Sequence, residues 1–163
     1  HERVLPALDD VLVAERQHDE TFVTVCDITV SPDRRRATVR LAGHPPPLLL
    51  RPDPAVWPDA QPGPPLGVVP GETWGAAVTE LIHPWAVLLY TDGLIEGHCR
   101  QSNERLGIDG LMSRLKDDGF DDGWEVGLER TLAWVEEQNG GPLADDVALM
   151  LLANGTGSAG TAA

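Results

Sequence analysis

Val87-Leu88-Leu89-Tyr90-Thr91-Asp92-Gly93 is an apolar run that stops abruptly at a carboxylate and a glycine. It reads as a buried strand with an acid at its tip. A counterpart lies near the other end of the chain. In Leu143-Ala144-Asp145-Asp146-Val147-Ala148-Leu149-Met150-Leu151-Leu152, two carboxylates open a second apolar run. Two acids held by such strands and brought together by a sheet form a hard-oxygen site suited to Mg²⁺ or Mn²⁺. An Asp-Gly pair alone is a common turn. A lone carboxylate beside a buried strand, however, costs energy unless it is paired or metal-bound. Asp145 and Asp146 are neighbours, so within a strand only one of them can face a given site. Their plainer role is that of charges flanking an aggregation-prone strand.

Periodicity supplies the elements around these two runs. Val4, Leu5, Leu8, Val11 and Leu12 recur at helical spacing, with Asp9, Asp10 and Glu15 on the other side. The pattern predicts an amphipathic helix with Pro6 in its first turn. Phe22 to Val30 is β-branched and apolar, Ser31-Pro32-Asp33 is a turn, and Arg36 to Leu41 alternates. Together they predict an antiparallel hairpin. Ala42-Gly43-His44-Pro45-Pro46-Pro47 is a stiff connector into Leu48-Leu49-Leu50, and residues 52 to 71 read as a loop rich in Pro, Gly and Asp. Trp74 to Ile82 and Ala86 to Tyr90 are further strands, turned at His83-Pro84. After Gly93 the period changes. One helix is expected through Leu106, Leu111, Met112 and Leu115 to Gly119, and another from Trp124 to Asn139-Gly140. Val147 to Leu152 is the last strand, and residues 154 to 163, rich in Gly, Ser, Thr and Ala, read as a disordered tail. Antiparallel strands with segregated helices define an α+β layered fold.

The chain has 163 residues, 42% hydrophobic, which suits one domain with a normal core. Its formal net charge of -14 argues against nucleic-acid binding and against docking on anionic lipid. No apolar run approaches the roughly 20 residues needed to span a bilayer. Cys26 and Cys99 are not in a C-x-x-C pair, so a reducing, cytoplasmic setting is expected. The acidic run from Asp117 to Asp122 lacks calcium-loop spacing and reads as a solvated helix connection. Signatures of a P-loop, of G-x-S-x-G and of H-E-x-x-H are absent.

Four ordered motifs, LAGHPPPLLL, GPPLGV, LLYTDGLIE and LADDVALMLL, carry a family resemblance over residues 4 to 152. The chain resembles the bacterial branch of the PP2C-type (PPM) metal-dependent serine/threonine phosphatases, the sporulation and sigma-factor regulators of the SpoIIE type. The resemblance implies an antiparallel β-sandwich flanked by helices, with a two-metal Mn²⁺ or Mg²⁺ centre at one end. It implies that Asp92 and Asp145 are metal ligands and that Gly93 lets the backbone approach the metals. Asp146, His44 and Glu96 are candidates for supporting roles. It further implies hydrolysis of phosphoserine or phosphothreonine by a metal-activated water, acting on a phosphoprotein such as an anti-sigma-factor antagonist.

In the family an earlier G-D-x-x-G-x-G segment supplies another metal aspartate, and the sequence as given starts after it. Residues 1–153 are therefore expected to be the C-terminal portion of a phosphatase domain, with an incomplete sandwich and little activity by themselves. The competing reading is a non-catalytic regulatory module that could dimerise or dock a partner through its sheet.

Overall fold

A computed structural model describes residues 2–18, 20–50, 54–97, 105–141 and 146–155. The elements in chain order are α1 (Val4–Glu15), β1 (Val25–Val30), β2 (Arg36–Ala42), β3 (Leu48–Leu50), β4 (Ala55–Val56), β5 (Ala77–Glu80), β6 (Trp85–Tyr90), α2 (Gly93–Glu96), α3 (Gly107–Asp118), α4 (Trp124–Asn139) and β7 (Leu149–Asn154). They form two compact units, His1–Pro46 with Trp57–Leu81, and Pro47–Val56 with Ile82–Ala163.

The first unit is built on an antiparallel sheet in the order β1-β2-β5. The hairpin expected from the β-branched run is present, with Asp27 opposite Arg40 and Val30 opposite Ala37. Strand β1 begins at Val25 rather than Phe22, because Val23 leaves the ladder to bridge Leu66. Strand β5 is likewise confined to four residues of the expected nine. Leu5, Ala42, Leu66 and Trp74 form the core of this unit, with Leu12 and Val25 packed against it.

Helix α1 turns only part of its expected apolar stripe inward: Leu5 and Leu12 pack on the core, and Asp9 lies between them. Leu5 and Asp9 are its buried residues, and Asp9 is 4% exposed. Val4, Leu8 and Val11 are exposed instead. The reason is a polar clamp on one glycine. Asp9 Oδ1 accepts from Gly67 N at 2.6 Å, and Arg16 donates to the Gly67 carbonyl at 2.7 Å. A buried carboxylate needs such a partner, because an unpaired one would be costly to remove from water. Gly67 has φ +84, and a Cβ there would meet the Thr21 carbonyl oxygen at 2.9 Å, so glycine is required.

The second unit carries an antiparallel sheet in the order β4-β3-β6-β7. Strand β4 lies inside the stretch expected to be loop; its two residues pair with Leu48 and Leu49. Two residues are too short to leave a period in the sequence. Leu48, Leu50, Ala86, Leu88 and Tyr90 share a core with Leu111, Leu115, Trp124 and Val135 from the helices and Phe120 from the connection between them. Alternate residues of β6 therefore face α3 and α4. The intervening Trp85 and Val87 are buried as well, which explains the unbroken apolar run.

Helix α4 ends where Gly140 takes the left-handed conformation, as Asn139-Gly140 predicts. The acidic connection between α3 and α4 is not wholly solvated. Asp118 accepts from Arg114 Nε and from the Thr131 hydroxyl, each at 2.8 Å. One carboxylate thus ties the two helices together. None of the described helices is long and apolar enough to cross a membrane. The tail beyond residue 155 lies outside the described residues.

Candidate functional site

Strand β6 delivers Tyr90, 2% exposed, to the end of its sheet, and the chain then turns at Thr91 and Asp92. A short helix, α2, follows at once and was not legible as a period. Asp92 is its N-cap: Oδ1 accepts from Gly93 N at 3.1 Å. The Asp92 carbonyl accepts from Ile95 and Glu96 at 2.9 and 3.0 Å. Leu94, 1% exposed, plugs α2 into the core. Asp-Gly thus acts here as a helix start rather than a hairpin turn, and the signal for it was an N-cap residue directly after an apolar run. Gly93 is buried and is the first residue of α2.

Antiparallel pairing brings Asp146 and the start of β7 to the same end of the sheet. Tyr90 is the partner of Leu149. Beyond that pair, Thr91 binds the incoming chain three times. Its N–H donates to the Ala148 carbonyl at 3.1 Å, its hydroxyl donates to the Asp146 carbonyl at 3.0 Å, and the hydroxyl accepts from Ala148 N at 2.9 Å. Thr91 was not singled out in the sequence, although a hydroxyl beside a strand-tip acid is well placed for such bonds. Strand β7 begins at Leu149, so Asp146 lies in the segment before it and strict strand alternation does not decide its direction. The Asp146 side chain is exposed. Asp145 lies outside the described residues.

The other candidates are placed as follows. Glu96 is exposed and pairs with Arg105 at 2.9 Å. His44 belongs to the first unit, is half-buried, and its Nδ1 lies 2.9 Å from the Pro45 carbonyl oxygen. Among the described residues there is no group of three or more His, Cys, Asp or Glu side chains able to hold a metal. Cys26 offers no nucleophile. Burial first, and the neighbouring Asp27 charge second, push its thiol up to about 11. Cys99 lies outside the described residues.

At the β6 tip Asp92 supplies one hard oxygen donor of the kind a divalent cation takes. Asp92 is exposed and uses one oxygen on a backbone N–H. The scaffold beneath is rigid: a buried strand, a plugged helix and the Thr91 bonds.

The fold is that of PP2C-type phosphatase domains. The chain superposes on the SiaA-PP2C domain of Pseudomonas aeruginosa with a TM-score of 0.78 at 15% identity, covering 94% of this chain and 61% of that domain. It is similar to the phosphatase domain of the cell fate determinant SpoIIE from Bacillus subtilis, with a TM-score of 0.65 at 14% identity over 94% of this chain and 66% of that one. It is also similar to the catalytic domain of the serine/threonine protein phosphatase PstP in complex with two manganese ions. There the TM-score is 0.58 at 15% identity, over 92% of this chain and 66% of that one. The chain therefore spans about three fifths to two thirds of these domains. Comparison with curated proteins gives no match. The family model for Stage II sporulation protein E matches residues 1–154, and the chain belongs to the SpoIIE family.

Proposed function

We propose that the protein is a metal-dependent serine/threonine protein phosphatase that acts on a phosphorylated anti-sigma-factor antagonist. The observation that carries the reading is Asp92. It is an exposed carboxylate at a strand tip, and the neighbouring Thr91 binds the backbone of Asp146 at the same sheet end. In this reading Asp92 and Asp145 hold Mn²⁺ or Mg²⁺, while Gly93, Asp146 and Glu96 shape the surroundings. When bound, such a metal pair supplies an activated water and neutralises phosphate charge. The Gly93 hydrogen bond orients the Asp92 carboxylate, and Thr91 ties this turn to the backbone of Asp146 and Ala148. No side-chain nucleophile is needed, in keeping with the raised Cys26 thiol. Support for the metal comes from the PstP complex with two manganese ions. Support for a regulatory phosphoprotein substrate comes from membership of the SpoIIE family.

The test is phosphate release from a phosphoserine protein in Mn²⁺, with and without EDTA. We expect EDTA to abolish turnover. Residues 1–163 by themselves should turn over slowly, and a polypeptide spanning the whole of the matched domain should be fast, because in-line attack needs every metal ligand positioned at once. EDTA-resistant turnover sinks the reading.

A further inference from the structure

The turn between β1 and β2 concentrates positive charge in an acidic chain. Arg34, Arg35 and Arg36 are consecutive and all exposed. The whole chain has 12 Lys and Arg against 26 Asp and Glu, so a quarter of its cations stand in one turn.

The turn is pre-ordered. Ser31 N donates to the Arg36 carbonyl at 2.8 Å, and Arg34 N donates to the Ser31 carbonyl at 2.8 Å. The Ser31 hydroxyl lies 2.6 Å from Asp33 Oδ1 and 2.9 Å from the Arg36 carbonyl, and it accepts from Arg36 N at 3.0 Å. Asp33 Oδ1 also accepts from Arg35 N at 3.1 Å. The Asp33 carboxyl is held below its ordinary range by the Ser31 bond first and the Arg35 backbone bond next; the Arg36 and Arg35 charges contribute less. Arg34 has φ 57, a left-handed position that Gly, Asn or Asp fills more cheaply.

The adjoining sheet face completes the surface. Arg36 stands opposite Glu80, and Thr38 stands opposite Val78. Val78 is 61% exposed, so the basic tip borders a small apolar spot.

We propose that the Ser31–Arg36 turn, with Val78, is a docking surface for an acidic segment of a protein partner. Guanidinium forks match carboxylates in bidentate geometry, and a pre-ordered turn loses little entropy on binding. A short acidic segment can stay within the tip. At physiological salt, charges farther than about 8 Å are largely screened, so the remaining acidity of the chain repels it weakly. A nucleic acid carries a charge every ~1.7 Å and meets a chain of net charge -14, which disfavours it. The proposal does not depend on the phosphatase reading.

The probe is a fluorescent glutamate-rich peptide carrying one leucine, with its glutamine counterpart as control, titrated against the whole chain by anisotropy. We expect the glutamate peptide to bind about tenfold more tightly than the glutamine peptide at low salt, with the gap closing as salt rises. Combined Arg35→Ala and Arg36→Ala should erase that preference. Arg35→Gln alone, a single exposed change, serves if the double variant does not fold. Equal binding of the two peptides, a preference that survives these substitutions, or tighter binding of single-stranded DNA than of the glutamate peptide overturns the proposal.

Discussion

Asp9 and Asp92 make the same hydrogen bond and sit in opposite circumstances. Each carboxylate accepts from the backbone N–H of a glycine, Gly67 at 2.6 Å and Gly93 at 3.1 Å. Asp9 is buried, and its partner lies 58 residues away. Asp92 is exposed, and its partner is the next residue. A buried carboxylate with a distant partner spends its oxygens on the framework. An exposed cap on a rigid strand end keeps an oxygen for something else. The difference separates an architectural acid from a candidate ligand more sharply than either sequence context does.

The largest effect tests the Asp92 half of that contrast. Asp92→Asn keeps an acceptor for Gly93 N and removes the charge. Under the proposed function it should lower kcat on a phosphoprotein about 100-fold or more, with the melting temperature nearly unchanged. Asp145→Asn should behave alike, and Asp146→Asn should cost far less. A variant of Asp92 that melts early but turns over normally would place Asp92 with Asp9 in the framework. A reversed order for residues 145 and 146 would move the site by one residue.

The next effect tests the Asp9 half. Asp9→Ala strands the Gly67 N–H in the interior, and an unsatisfied buried donor costs about 1–3 kcal/mol. The melt should shift down by several degrees. Asp9→Asn still offers an oxygen and should lose less. An Asp9→Ala protein as stable as the parent would show that the Gly67 clamp contributes nothing. Thr91 stands between the two cases, structural in its bonds and adjacent to the site. Thr91→Val removes two hydroxyl hydrogen bonds at a partly solvated sheet end, which should cost about 1 kcal/mol, and Thr91→Ser should restore it. The same Thr91→Val protein should lose turnover beyond what its stability explains if the spacing of the acidic segments matters.

The sequence was a good guide where burial sets a period, and a poor one where polar bonds decide. The β6 run, both ends of α4 and the Ser31–Arg36 hairpin follow from apolar spacing and turn residues. The inward face of α1 does not. Hydrophobicity places Asp9 with Asp10 on the wet side, and only the position of Gly67, far along the chain, reverses it. Asp118 is another such case. An acidic run suggests solvent, yet Arg114 and Thr131 both claim this carboxylate. At the site, the strand-tip aspartate was legible from the apolar run that precedes it. The Thr91 bonds were not, because their partners are 55 and 57 residues distant. Helix α2 has four residues, too few to show a 3.6-residue period, and is marked only by its cap.

The smallest effect extends the contrast to a titrating group of the first unit. Cys26 lies on β1, partly covered, with its thiol raised from an ordinary value near 9 to about 11 by burial and then by Asp27. A neutral thiol in the folded chain and an ionised one in the unfolded chain differ in bound protons between those two values. The unfolded state holds fewer protons there, so stability must fall as pH rises. The contribution is whole below about pH 9 and is lost as pH passes through about 11. Tyrosine and lysine also titrate in that window, so the quantity to measure is the difference between the parent and Cys26→Ala, followed by urea unfolding at successive pH values. The parent's advantage should shrink steadily above pH 9. A thiol-reactive dye at pH 8 should label Cys26 in the folded protein more slowly than in urea, since only the thiolate reacts. A flat difference across the pH range, with equal labelling in both states, would show that Cys26 is as open to solvent as Asp92 and that the first unit does not hold its titrating groups inside.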